Sequence, residues 1–273
     1  MNKTNSTIFI ILQLQFTVRY LLKTDIFKKL HQLGLKIVIL SPNGLDEDFR
    51  KEHALNNIFF EELHLDEYKR YKKNILYNFF LKVRNLTLPA SCDISTMKLK
   101  EEILLNRVKD FRLVVRFFYL FCIYSAKIMQ HSKFLRNFIL YFENITFKNN
   151  VHTDLYKKYK PKAILINDLG TIETSNFIMR EAKKNNTKII SLILSWDNLV
   201  SKGIGSLKPD YVIAWNNIMV QELEQYHGIK REKIYVGGIP HWDTYSNDKI
   251  MPGYDIDKAL GFNKPYKKLI YFA

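Results

Sequence analysis

PKAILINDLGTIETSNFIMREAKKNNTKIISLILS, Pro161 to Ser195, decides the fold. "AILI" and "IISLIL" are apolar without alternation, so a strand built from either is buried on both faces. Between them, "TIETSNFIMREAKKNN" has helical periodicity and ends in a basic, amide-rich turn. A strand, a helix and a second buried strand predict parallel pairing through a right-handed crossover, with helices covering both faces of the sheet.

The pattern extends in both directions. Downstream, "DYVIAW" reads as a strand, "NNIMVQELEQYHG" as a helix and "KIYVGG" as a strand. At the start of the chain, "TIFIILQLQF" is a strand. A single helix over Thr17 to Leu33 then presents Leu21, Leu22, Ile26, Phe27, Leu30 and Leu33 on one face, with Gly34 as its C-cap, before the strand "LKIVILSP". The predicted class is α/β, a doubly wound, mainly parallel, Rossmann-like sheet.

A different character holds from about 66 to 159. Turn-bounded strand signals are scarce there, and "LKEEILLNRVKDFRLVVRFFYLFCIYSAKIMQ" reads as helix, basic on one side and aromatic on the other. This is a helical insertion, with a break near Pro89. Between Asp66 and Asn150 there are 16 Lys+Arg and 7 Asp+Glu, so +9 of the net +15 lies in this segment. "FRLVVRFFYLFCIYSAKIM" reads as too short and too charged to span a bilayer. Three partners fit a basic, aromatic-rich helix: an anionic membrane surface, ordinary core packing, or nucleic acid, the last the least favoured.

The 273 residues, 47% hydrophobic, suffice for one large domain with a sizeable core. Cys92 and Cys122 match neither a zinc pair nor a redox dithiol, which favours a reducing, cytoplasmic location, peripheral to the inner face of the cytoplasmic membrane if the basic helices bind lipid. The N-terminal apolar run has no small-residue cleavage site and continues into helical periodicity, so it is read as a strand rather than a signal peptide. No metal-ligand pattern is present.

In open parallel sheets, ligands bind beyond the carboxyl ends of the strands. That rule selects Gln15, Thr17 and Arg19, Ser41 to Asn43, Asn167 and Asp168, Ser195 to Asn198, Trp215 and Asn216, and Gly237 to Asp243. Asp168 fits either a helix cap for the segment from Thr171 or a working carboxylate. Asn216 reads first as the cap of the helix from Asn217, and Trp215 as rim packing. "SWDNLVSKGIG" differs, because its two glycines and the proline beyond do not read as helix. Trp196 offers a stacking face, Asp197 an acceptor carboxylate, Asn198 an amide and Lys202 a cation, a set suited to sugar hydroxyls. Asp197 and Asp168 are the candidate bases and His241 a third, with Ser195, Trp196, Asn198, Lys202, Asn216 and Arg19 as candidate substrate contacts.

The series Ser195 to Asn198, Lys202 and Gly203, Pro209 and Asp210, Trp215 and Asn216, Tyr226 to Gly228, then Gly238, Pro240 and Asp243 resembles the N-terminal half of certain bacterial GT-B glycosyltransferase-like proteins. These are related to the superfamily of UDP-N-acetylglucosamine 2-epimerases and CDP-glycerol glycerophosphotransferases. The resemblance covers about 161 to 245 and, more loosely, the opening strand-helix-strand unit; the helical segment resembles nothing named. It implies an acceptor-side domain over 1–245, a linker over 246–265, and at 266–273 the first strand of a donor domain that is otherwise missing. A nucleotide-sugar donor would sit in that second domain, and the acceptor, a sugar or a lipid-linked sugar, on this one. The chain is then a fragment of a glycosyltransferase of surface polysaccharide or glycolipid assembly, inactive alone. A sugar-nucleotide epimerase, a glycerophosphotransferase and a non-catalytic binding domain are the alternatives.

Overall fold

A computed structural model of the chain describes residues 6–90, 93–242 and 261. Apart from residue 261 the expected linker lies outside the described residues, as do the strand over 266–273, Asp243 and Cys92. The first layers form as the apolar runs predict. β1 (Thr7–Ile11), β2 (Lys36–Ser41) and β3 (Ile58–Glu62) are followed by β4 (Ala163–Ile166), β5 (Lys188–Leu192), β6 (Tyr211–Ala214) and β7 (Ile234–Val236). All pair in parallel, in the order β3-β2-β1-β4-β5-β6-β7. The sheet is thus Rossmann-like and doubly wound.

Alternate residues of each strand feed opposite faces. Phe9, Ile11, Val38, Leu40, Ile164 and Ile166 join one core cluster, whereas Ile10, Leu12, Ile37, Ile39 and Leu165 join the other. Both sets are almost wholly buried, which is why the strands carry no polar alternation.

α1 (Gln15–Leu21) and α2 (Asp25–Gln32) replace the single helix expected over Thr17 to Leu33. The break lies at Thr24, whose hydroxyl donates to the carbonyls of Tyr20 and Leu21, both at 3.1 Å, while Asp25 opens the next helix. Such back-bonding competes with helix continuation. Gly34 does stop α2, at φ +71°. α3 (Glu47–His53), capped by Asp46, leads to β3, an edge strand that the sequence pattern does not reveal. Its residues IFFEE are only partly buried, so it has neither a long apolar run nor clean alternation.

Between β3 and β4 run α4 (Asp66–Lys69), α5 (Ile75–Asn85), α6 (Ser95–Val108), α7 (Leu113–His131), α8 (Lys133–Thr146) and α9 (Thr153–Tyr159). Tyr68, Tyr77, Phe80, Phe147, Tyr156 and Tyr159 pack with β1, β2 and β4. Val83, Cys122, Ile123, Ala126 and Met129 form a satellite core with Ile204. A buried ion triad fastens this layer to the sheet domain. Glu143 of α8 accepts from Arg84 of α5 at 2.8 Å and from Arg180 at 2.5 Å. Arg180 belongs to α10 (Glu173–Lys184), the β4–β5 crossover. The remaining helices are α11 (Asn198–Ser201) and α12 (Asn217–Gln225).

Two sequence expectations need correction here. Asn198 to Ser201 form one helical turn, where the glycines and proline predict only an irregular loop. α7 is, by length and composition, apolar enough to cross a membrane, contrary to the expectation of a helix too short and too charged. One side of it packs in the satellite core. Its outer side, with that of α8, leaves Phe117, Phe121, Tyr124, Ile128, Phe134, Phe138 and Tyr141 each more than half exposed.

Candidate functional site

The strand order reverses at β1. From there the chain moves outward through β2 and β3, returns through the helical layer, and enters β4 on β1's other side. The loops leaving β1 and β4 therefore run in opposite directions and open a crevice, the usual ligand position in such sheets. A cavity of about 280 Å³ lies there. Its walls come from three strand ends: Gln13, Leu14, Phe16 and Thr17 after β1, Asn167, Asp168 and Ile172 after β4, and Leu194, Ser195, Asp197, Asn198 and Lys202 after β5.

Asp168 is 1% exposed and its oxygens are engaged. One carboxylate oxygen accepts from the backbone amides of Thr171 at 2.9 Å and Ile172 at 3.4 Å; the other accepts from the Ser175 hydroxyl. Burial raises its pKa, opposed by the Ser175 hydroxyl and the backbone amides. Asp168 thus organises the turn into α10. Gln13 continues the network, donating to Ser175 at 2.8 Å and accepting from Thr174.

Asp197 is half-buried and sits in a different field. Ser195 donates to one of its oxygens, and the Ser201 hydroxyl to the other at 3.1 Å. Partial burial pulls its pKa up, but these hydroxyls and the charge of Lys202 outweigh it and hold the carboxyl below the usual range. Asp197 is therefore ionised at neutral pH, with Lys202 beside it.

Two amide oxygens in the wall, those of Asn167 and Asn198, are buried and have no partner among the described residues. The Asn167 amide nitrogen is fixed by the carbonyl of Ile11 at 2.9 Å. That contact orients the group, leaving the oxygen as acceptor. A buried acceptor without a donor costs about 1–3 kcal/mol, and a hydroxyl-bearing ligand would relieve it.

The loop is held from outside by the helical layer. Thr96 donates to the Val200 carbonyl at 3.0 Å, and Lys100 to those of Asn85 and Ser201 at 2.7 and 3.1 Å. The glycines are required by crowding. A Cβ on Gly203, at φ +70°, would lie 2.1 Å from the Arg84 carbonyl oxygen, and one on Gly205 1.9 Å from that of Leu169.

The sequence-selected residues divide. Asp168, Ser195, Asp197, Asn198 and Lys202 meet in the cavity. Arg19 and His241 form a second cluster: His241 stacks on Tyr20 at 4.0 Å and meets Trp215 edge-on at 6.0 Å. Burial, then Arg19, lowers the pKa of His241. Asn216 caps α12, accepting from the Met219 amide at 3.0 Å. Trp196 is 70% exposed and does not line the cavity. Gln13 is absent from the sequence-selected set, although a polar residue directly after an apolar strand marks it. Ser175 carries no sequence signal, since it lies within a helix. No cluster of three or more metal-ligating side chains occurs among the described residues. A larger cavity, about 440 Å³, lies beyond Ile204 on the far side of the same loop. The chain matches no protein-family model, and no curated protein matches it significantly.

Proposed function

We propose that the cavity at the β1–β4 switch point binds the acceptor sugar of a glycosyl transfer, in a two-domain enzyme whose other Rossmann-like domain holds a nucleotide-sugar donor. The observation that carries this reading is the pairing of unpartnered buried amide oxygens at Asn167 and Asn198 with the ionised, half-buried carboxylate of Asp197. Amide oxygens accept from sugar hydroxyls, and Asp197 takes the proton of the attacking one. The acceptor oxygen bonds to the anomeric carbon as the bond to the diphosphate breaks. Lys202 stabilises negative charge nearby. Asp168, with its oxygens committed, positions Gln13 and the start of α10. His241 and Arg19 stand apart with Tyr20 and serve the rim.

The acceptor in this reading is lipid-linked and presented at an anionic membrane surface. Supporting it, α7 and α8 expose a broad aromatic face. Between Arg112 and Lys148 there are six Lys or Arg and one acid, Glu143, which is buried in the triad. An aromatic face with basic flanks lies favourably in the headgroup layer, each cation contributing about 1 kcal/mol.

A panel of nucleotide sugars tests the reaction in the full-length protein. Acceptor-dependent nucleotide release is expected, and Asp197→Asn lowers it about 100-fold or more with the urea midpoint unchanged. Release without acceptor, or an Asp197→Asn rate within about threefold of the parent, well short of a general base's contribution, refutes the assignment.

A further inference from the structure

The 440 Å³ cavity is walled by Pro89, by the first turns of α8, by Leu169 after β4, by the loop from Ile204 to Pro209, and by the end of α12 through Ile229. Its volume falls in the range of small-molecule sites. Three cations from two segments line it: Lys133 and Arg136 of α8, and Lys208 of the loop. Arg136 is fixed by the carbonyls of Met129 at 2.7 Å and Gln130 at 2.8 Å, and Lys208 by that of Gly228 at 2.7 Å. Neither Lys133 nor Lys208 forms an ion pair with a described residue, and the one carboxylate in the lining, Glu224, is exposed. Burial, then the charges of Lys133, Lys233 and Arg136, lower the pKa of Lys208.

Independent of charge, the Ser206 hydroxyl in the same wall is buried, 2% exposed for the residue, and has no partner among the described residues. The N-terminus of α8, fourteen residues long, adds its partial positive charge; its Ser132 cap accepts from the Leu135 amide at 3.2 Å. Lys133 and Lys208, neither ion-paired with a described residue, repel one another, and an anion between them would relieve that repulsion.

We infer that this cavity binds a phosphate group, held by Lys133, Arg136 and Lys208 with a hydrogen bond from Ser206. A phosphate ester carries close to two negative charges at neutral pH and several strong acceptor oxygens, which answers both the excess charge and the idle hydroxyl. The volume leaves room for the group esterified to it. Phe134 and Phe138 project from the same helix into solvent, so the ester can be a soluble metabolite or the headgroup of an anionic lipid whose chains follow the aromatic face. The site shares no lining residue with the sugar cavity, although two segments run from one to the other, Asp168 to Leu169 and Lys202 to Ile204.

The test titrates the intact protein with inorganic phosphate and glycerol 3-phosphate by calorimetry, and sediments it with phosphatidylcholine vesicles with and without phosphatidic acid. Parent protein is expected to bind at least one phosphate source. K133Q/K208Q weakens that binding tenfold or more, Ser206→Ala weakens it less, and Asp197→Asn leaves it unchanged. Lys133→Gln alone, at an exposed position, carries the test if the double variant does not fold. Binding of the soluble esters identifies a metabolite site; binding of phosphatidic acid alone identifies a lipid headgroup. The inference is overturned if neither source binds, if the lysine variants bind like the parent, or if Asp197→Asn abolishes binding.

Discussion

Glu143→Gln should be among the most damaging single changes in this protein, although it lies outside both cavities. The carboxylate is fully buried and stands between Arg84, 0% exposed, and Arg180, 6% exposed. Glutamine keeps the shape and one acceptor oxygen but removes the negative charge, leaving two guanidinium groups facing each other without a counterion. Breaking a buried ion network by deleting one partner costs about 3–5 kcal/mol, most of it the penalty of the charge left behind. With a urea m-value of about 2–3 kcal/mol/M, the unfolding midpoint should fall by more than about 1 M. Circular dichroism in urea measures it. Replacing all three residues with apolar ones of similar volume should recover much of the loss, because the desolvation cost then disappears as well. Arg84 also exchanges hydrogen bonds with Ile204, both at 3.1 Å, so Glu143→Gln should also raise amide exchange at Gly203 to Gly205. A loss below about 1 kcal/mol, far under the cost of a broken buried network, would refute the triad as the joint between the two layers.

Three further outcomes are expected. His227 is buried, hydrogen-bonded to the Leu199 carbonyl at 2.9 Å, and its pKa is pushed down to about 4, first by burial; the unfolded chain protonates near 6.5. Stability is therefore full above about pH 6.5 and lost as pH falls toward 4, amounting to about 2 kcal/mol by pH 5; His227→Gln should flatten that slope in urea titrations, and an unchanged slope would count against it. Gly203→Ala should cost about 2 kcal/mol or more, from its positive φ and the carbonyl that the new Cβ meets, and a thermal midpoint equal to the parent's would show that α5 and the loop can separate freely. Phe117→Asp with Phe121→Asp should abolish sedimentation with anionic vesicles while leaving the fold intact, whereas unchanged sedimentation would remove the aromatic face as the membrane contact.

Much of the fold is legible in the chain because buried parallel strands leave long apolar runs. "AILI", "IISLIL" and "KIVIL" have no other stable home in an α/β protein, and their ends mark where polar working groups emerge. The chain alone therefore singles out Asp168, Ser195, Asp197 and Asn198, each standing just past such a run. The elements it hides lack that signature. β3 is an edge strand and only partly buried, and the α1–α2 break depends on one threonine hydroxyl.

The sequence by itself determined which of the buried elements form and which residues stand at their ends. It could not determine adjacency, because periodicity is local and strand order is set by contacts between distant residues. Only the tertiary structure placed β1 between β2 and β4, and so brought Gln13 and Asn167 to the same cavity as Asp197 while leaving Asn216 a helix cap and His241 on Tyr20. Only packing showed that the aromatic side of α7 and α8 faces outward, while Cys122, Ile123, Ala126 and Met129 face the satellite core. The Arg84–Glu143–Arg180 triad spans three helices and up to 96 positions of sequence. No pattern along the chain announces it, since the three charges pair only once the helical layer has closed on the sheet.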